Sequence, residues 1–212
     1  MDLEYFENEL NEGYSKKLPE VYEKIPKDDV TLRELLKLIG GPGKLLLSML
    51  LAVPFLIPIS IPGTGIIVGL IIFTIAISII FNRDLIPNRI MKTKISNENL
   101  TKALNTTSSV LKFLEKYIKP RLLVMNSGSI TPRLNKIVFL AFSILFILPL
   151  PIPLTDTLPA SGIFLLSAGI LESDGYLILA AYILVFITII YFGAIILIGW
   201  MTLSSRLPYF HY

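Results

Sequence analysis

The sequence predicts an all-α integral membrane protein, and three observations support this prediction. Over half of the 212 residues are hydrophobic, and the mean hydropathy is +0.70. No charged residue occurs from Leu45 to Asn82 or from Gly175 to Ser205, whereas about 18 uncharged apolar residues already indicate a membrane-embedded segment. Clusters of proline and glycine interrupt the first run and recur in a second apolar region. This pattern predicts two repeated, proline-broken helical hairpins followed by one full transmembrane helix.

Residues 1–43 are predicted to form amphipathic interfacial helices on the cytoplasmic side. Thr31 and Glu34 have the spacing of a capping box, in which a hydroxyl and a carboxylate each satisfy a free amide at a helix start. The helix that follows should end at the glycine-rich segment 40–43, where the chain enters the bilayer. Before it, apolar residues recur every three or four positions, as on one helix face: Leu3, Phe6, Leu10, Tyr14, Leu18, Tyr22 and Ile25.

Residues 44–82 are predicted to form the first broken hydrophobic hairpin. The uncharged run of about 38 residues would extend roughly 57 Å as one straight helix, nearly twice a hydrocarbon core of roughly 30 Å. Proline cannot continue a helix, so the two legs should be joined by an irregular segment. The predicted structural breaks are Pro54, Pro58, Pro62 and Gly63.

Residues 83–136 form a basic insert with 11 Lys and Arg against three acidic residues. A basic segment next to membrane helices is normally cytoplasmic. Apolar residues from Leu100 to Ile118 predict an amphipathic helix within it, whose expected partner is the anionic head groups of membrane lipids. The alternative is that the basic residues serve only as a topology signal.

Residues 137–175 repeat the first pattern and predict a second broken hairpin. Its legs, about 137–148 and 160–171, would span only roughly 18 Å each, which favours re-entrant hairpins that open to the cytoplasm. The alternative is a tight turn at the far membrane surface between two ordinary transmembrane helices. Residues 176–205 should then cross the membrane once and leave the C-terminus outside. The predicted breaks are Pro149, Pro151, Pro153 and Pro159.

The sequence resembles the ExoD family of exopolysaccharide synthesis membrane proteins over roughly residues 32–182. The most specific similarity is Leu148-Pro149-Leu150-Pro151-Ile152-Pro153 followed by Thr155, Leu158-Pro159-Ala160, Leu171-Glu172 and Asp174-Gly175. The sequence departs from the family pattern at Asp156, where Asn is usual, and at Ser173, where Arg is common. The resemblance implies a bacterial-type inner-membrane protein connected with exopolysaccharide production, without supplying a reaction.

Asp156 is the main candidate for a binding residue. A carboxylate inside a bilayer is costly and normally faces a cavity, a partner or a coupling ion. In a re-entrant hairpin Asp156 would lie at mid-depth, flanked by Thr155 and Thr157, and could bind a cation or a proton. The alternative is that it caps the following helix in water at the outer surface.

Glu172 is a second candidate for ion binding, whereas Asp174 is expected to lie in a solvated turn. Lys116 and Arg121 are the natural partners if this acidic pair is structural. Hydroxyl groups that could contact a ligand are those of Ser60, Thr64 and Ser161. More often such hydroxyls satisfy backbone groups freed beside prolines.

These features favour a transport-type protein for an ion, a small solute or a lipid carrier, with its site at the two proline-rich tips. Because irregular backbone at membrane depth needs shielding, a homodimer or higher homo-oligomer is expected. The alternative is a non-transporting assembly component that docks polysaccharide-synthesis proteins. No catalytic set, metal cluster, cofactor motif or nucleic-acid partner is indicated, since cysteine is absent and His211 is the only histidine.

Overall fold

The computed structural model describes residues 30–31, 33–34, 43–57, 64–83, 85–92, 94–96, 98, 101–102, 105, 131–148, 150 and 152–206. These residues are mostly helical, as predicted. The predicted N-terminal helix before Val30 and most of the amphipathic helix in the insert lie outside this part of the chain.

A two-residue antiparallel strand pair departs from the all-α prediction. Strand β1, Val30–Thr31, pairs with strand β2, Lys94–Ile95, so that Val30 lies opposite Ile95. The predicted capping box is confirmed beside it. The Thr31 amide donates to Glu34 Oε2 at 2.8 Å, and the Glu34 amide donates to Thr31 Oγ1 at 3.3 Å.

The first apolar block forms helix α1, Gly43–Ala52, a 3₁₀ turn, Val53–Phe55, and helix α2, Thr64–Ile80. Pro54 lies in the first turn of the 3₁₀ segment, where its missing amide costs no hydrogen bond. Helix α2 ends at Ile80, and Asn82 in the turn that follows has φ 49°. This left-handed residue lets the Arg83 amide donate back to the Ser78 carbonyl at 3.1 Å. A short helix α3 follows at Asn88–Met91.

The second apolar block forms helix α4, Thr131–Ile147, and helix α5, Thr157–Leu171. Helix α4 begins before residue 137, where the sequence placed the boundary. Its first two turns contain polar residues, so the apolar pattern did not include them. With 17 and 15 residues the two helices extend about 25 and 22 Å, longer than the 18 Å expected from the sequence. Pro159 is not a break: it lies in the first turn of α5, where proline is tolerated.

Helices α1, α2, α4 and α5 form a bundle in which α2 packs beside α4 and α1 packs beside α5. Lys44 Nζ donates to the Arg83 carbonyl at 3.4 Å, so the start of α1 and the end of α2 lie at one end, here called the base. The other end holds the two segments that join the helices of each pair. Side chains that fill the core include Leu46, Met49, Ile72, Ile75, Phe139, Phe142, Phe146, Ile163 and Leu166.

Helix α6, Gly175–Arg206, is 32 residues long and packs its first half against α5. Within the described residues, α6 alone is long and apolar enough to cross a membrane, over Gly175–Thr202. The turn between α5 and α6 is tight because Ser173 has φ 52° and the Asp174 amide donates to the Gly169 carbonyl at 2.9 Å. Only residues 172–174 connect α5 to α6, and such short connections hold consecutive helices antiparallel, so α6 starts at the base.

Candidate functional site at the paired tips

The segments that join the paired helices are called here the first tip, residues 53–63, and the second tip, residues 148–156. The first tip is described only through Ile57, and Thr64 is described only as the first residue of α2. The remaining predicted residues of the two tips lie outside the described part of the chain: Pro58, Ser60, Pro62, Gly63, Pro149 and Pro151.

The described residues of the second tip pair backbone groups with one another through a series of short turns. The Leu150 amide donates to the Leu148 carbonyl at 2.9 Å, and the Ile152 amide donates to the Leu150 carbonyl at 2.8 Å. The alternating prolines have no amide hydrogen to satisfy. Thr155 is buried, and its hydroxyl lies 2.9 Å from the Leu150 carbonyl and 2.8 Å from that of Ile152. The Thr155 hydroxyl is therefore already hydrogen-bonded to the backbone of the tip.

Helix α6 holds the second tip through Tyr191, a residue that the sequence analysis did not single out. Tyr191 Oη donates to the Pro153 carbonyl at 2.6 Å. The next residue, Leu154, has φ 69° and is 42 % exposed, a backbone conformation that is unfavourable for a leucine. The sequence contains one signal that could have found this contact. Tyr191 places a hydroxyl within an otherwise apolar segment, where such a group needs a hydrogen-bond partner.

The carboxylate of Asp156 lies directly over Gly65, at the start of helix α2. A Cβ atom built on Gly65 would lie 3.0 Å from Asp156 Oδ1 and 3.2 Å from its Cγ. Gly65 is buried and Asp156 is half-buried, so a side chain at position 65 would require the carboxylate to shift by a few tenths of an ångström. The first turn of α2 has free amides and the positive end of the helix dipole, which favours a nearby negative charge.

The capping role that was the alternative for Asp156 is wrong. Asp156 adopts φ −87° and ψ −39°, and its side chain makes no capping hydrogen bond to α5. Among the described residues, no side chain donates a hydrogen bond to this carboxylate.

Two further contacts join the tips of the two helix pairs. The rings of Phe55 and Phe146 meet edge to face with centroids 5.0 Å apart. A Cβ on Gly69 would lie 3.0 Å from Ile147 Cγ1, so α2 and α4 approach closely just below the tips. The structure thus brings Asp156 to the start of α2.

Thr157 and Ser161 also lie near the second tip. Thr157 is the first residue of α5, and Ser161 lies one turn further along it. Both are half-buried. Their burial is therefore of the same class as that of Asp156.

Glu172 and Asp174 lie at the base and not at the tips. Helix α5 separates them from Asp156 by roughly 22 Å. The expectation of a solvated turn at Asp174 is wrong, because Asp174 is 2 % exposed and Glu172 is 7 % exposed. Asp174 Oδ1 accepts the Tyr176 amide at 2.9 Å and so caps α6. The proposed partners Lys116 and Arg121 lie outside the described residues.

A buried polar contact reinforces the base. Tyr182 Oη donates to Asn135 Oδ1 at 2.6 Å and ties α6 to the beginning of α4. This bond, like that of Tyr191, places a tyrosine hydroxyl of α6 on the second helix pair. Helix α6 is therefore attached to that pair at both ends of the bundle.

Comparison with known proteins assigns the family. The model of the family described as "Exopolysaccharide synthesis, ExoD" matches residues 14–194. The chain is 39 % identical over 168 residues to Protein ExoD of Rhizobium meliloti (strain 1021), an alignment that covers 78 % of this chain and 70 % of that protein. No solved structure matches the chain. The chain belongs to the ExoD family of exopolysaccharide synthesis proteins.

Proposed function

We propose that this protein is a transport-type membrane protein of exopolysaccharide synthesis, with two re-entrant hairpins and a site at their joined tips. The observation that carries the proposal is the position of the Asp156 carboxylate over Gly65. One hairpin supplies the charge and the other supplies the helix start that faces it. The site therefore depends on both hairpins at once, and the proposal assigns it no enzymatic reaction.

The depth of the tips supports the re-entrant arrangement. Tyr191, which bonds the second tip, lies roughly 24 Å from the start of α6, and α6 continues for roughly 16 Å more to Thr202. The tips thus end near the middle of the helix that is long enough to cross. Apolar side chains at the tips are exposed, with Ile57 at 60 % and Leu154 at 42 %. A turn that ended in water would be expected to expose polar residues instead.

The charges at the base support a cytoplasmic opening. Exposed or half-buried basic residues flank the base on several segments, and such an excess marks the cytoplasmic side: Lys44, Arg83, Arg89, Lys92, Lys94 and Arg133. This orientation puts the basic insert on anionic inner-leaflet lipids and the end of α6 outside. A homodimer remains part of the proposal, with contact through the exposed sides of the bundle.

The site suggests how a cation could be exchanged. Without a ligand, the charge of Asp156 is balanced in part by the start of α2, a favourable interaction of about 0.3–1 kcal/mol at an exposed helix end. A proton, a metal cation or a cationic group that reached the tip would compete with this interaction. Its arrival would weaken the link between the two hairpins and so couple binding to their relative movement.

Reconstitution of the purified protein in liposomes tests the proposal. We would measure proton flux with an enclosed pH-sensitive dye and lipid movement with a fluorescent phospholipid. Transport that falls at least tenfold in Asp156→Asn and in Gly65→Ala, but not in the matched control Gly193→Ala, would support the site. Gly193 suits this purpose because a Cβ there would meet no atom within 4 Å.

The assembly role is the alternative that the same preparation can reveal. An assembly component would show no flux in any of these assays and would co-purify with a polysaccharide-synthesis protein in a stable complex. Flux that is equal in the native protein and in both site variants would remove Asp156 from the proposal.

A further inference from the structure

We infer that acyl chains of outer-leaflet phospholipids occupy the space above the tips, where they rest on the second tip and against the outer half of α6. The inference rests on the membrane insertion in the proposed function, but not on transport. It assigns a surface that binds hydrocarbon chains and does not depend on which substrate is transported.

One face of α6 forms the wall of this surface. Along the first half of the helix, buried residues recur every three or four positions where α6 packs on the bundle: Ile178, Ala181, Val185, Thr188 and Phe192. The same spacing continues to Ile195, Gly199 and Thr202. Ile195 is still half-buried, whereas Gly199 and Thr202 are exposed, and a Cβ on Gly199 would meet nothing within 4 Å. Among the described residues, the packing face of α6 is therefore uncovered from Gly199 onward.

The tips form the floor of this surface. Ile57, Leu148 and Leu154 are 60 %, 36 % and 42 % exposed. Polar backbone normally prevents an irregular segment from facing hydrocarbon, because every unpaired amide or carbonyl is costly there. The described residues of the second tip lower this cost through the Thr155 hydroxyl and the bond from Tyr191 to the Pro153 carbonyl. Away from the half-buried Asp156 carboxylate, the exposed apolar side chains of this tip are therefore compatible with direct contact by lipid chains.

The height of the space matches one leaflet. Helix α6 rises roughly 16 Å from Tyr191 to Thr202, and half of a hydrocarbon core of roughly 30 Å is about 15 Å. Trp200, near the top of this rise, is 69 % exposed, as expected for an aromatic residue at the membrane–water interface. A lipid of the outer leaflet would thus place its head group near Trp200 and its chain ends on the tips.

A second copy of the chain fits this space poorly. The basic residues at the base give every copy of the chain the same orientation in the membrane. If the outer half of a neighbour's α6 lay over these tips, the first half of the same helix would overlap with the bundle beneath them. A homodimer must then form through other surfaces, and the space remains for lipid.

Fluorescence quenching by brominated lipids tests the inference. In the full-length protein, Trp200→Phe removes the only tryptophan, and Leu154→Trp then places a single reporter on the floor. The protein is reconstituted in phosphatidylcholine vesicles brominated either near the chain ends or near the head group. We expect chain-end bromines to quench this reporter at least twofold more strongly than head-group-proximal bromines. Trp200 in the otherwise native chain should show the opposite order.

A pair of variants tests whether the lipid lies in the proposed space. In the reporter protein, Gly199→Phe fills the space beside the wall and should lower chain-end quenching at least twofold. Ile198→Phe is the matched control, since Ile198 is 64 % exposed and lies on a different face of α6. If Leu154→Trp prevents folding, Ile57→Trp supplies the second reporter on the same floor.

Three outcomes would overturn the inference. Stronger quenching by aqueous acrylamide than by any bromine would show a tip in water. An absence of quenching by all three agents would show a tip covered by protein. Equal quenching in Gly199→Phe and Ile198→Phe would show ordinary lipid contact without a defined position. Because quenching needs no flux, a failure of transport alone would reject the proposed function and leave this inference standing.

Discussion

Replacing Gly162 with alanine should destabilise the bundle through a single steric conflict. A Cβ on Gly162 would lie 2.1 Å from two ring carbons of Phe142, whereas carbon atoms pack at about 3.5–4.0 Å. The ring must therefore move by about 1.5 Å, and Phe142 is fully buried in the core. Overpacking of this kind costs about 1–3 kcal/mol. We expect a cost near the upper end of this range, since the buried ring cannot move out into solvent.

The helix propensity of alanine partly offsets this cost. Alanine is favoured over glycine in a helix interior by about 1 kcal/mol, so the net loss for Gly162→Ala should be about 2 kcal/mol. Gly199→Ala is the matched control, because it makes the same change in a helix where a Cβ meets nothing within 4 Å. It should be neutral or stabilising by up to about 1 kcal/mol.

Thermal unfolding of the purified protein in one detergent, followed by circular dichroism, measures the difference. For a chain of this length 1 kcal/mol corresponds to about 2–4 °C in Tm, so the two variants, which differ by about 2–3 kcal/mol, should differ by about 4–12 °C. Equal melting temperatures would refute the close approach of Phe142 to α5, and with it the packing of α4 against α5.

Three further predictions concern hydrogen bonds and backbone strain, each measured by the same unfolding assay. Tyr191→Phe should destabilise the protein by about 1–3 kcal/mol because the Pro153 carbonyl loses its donor; an unchanged Tm would show that this bond is not formed in solution. Thr155→Val should cost a similar amount, whereas Thr188→Val, which removes a bond within one helix, should cost less; equal losses would contradict the role of Thr155 in the tip. Ser173→Val should be more destabilising than Ser173→Gly, since only glycine accepts φ 52° without strain; the reverse order would exclude a left-handed turn there.

Local features were predictable where they depend on neighbours in the chain. The capping box of Thr31 and Glu34 needs only a spacing of three residues and is present as predicted. The apolar run after Gly175 implied one long helix for the same reason, and α6 is that helix. Pro159 was misassigned because proline either breaks a helix or starts one, and only the preceding residues decide which.

Contacts between distant segments could not be predicted from local pattern. Asp156 was singled out because it is a carboxylate between prolines in an apolar region, but nothing near it indicates that Gly65 lies beneath it. Asp174 was expected in water because acidic residues in turns usually are, yet packing of α5 and α6 buries it. Tyr191 was overlooked, since its partner is a backbone carbonyl that carries no side-chain signal.

The sequence by itself determined that the chain is mostly helical and has long apolar segments interrupted by proline, one of them long enough to cross a membrane, because hydropathy and periodicity depend on residues that are close in the chain. The tertiary structure decided that the two tips join at one end, that Asp156 faces the start of α2, and that α6 continues beyond them. These relations depend on the relative position of helices. Packing of core side chains such as Phe142 and Phe146 sets that position, and no local pattern encodes it.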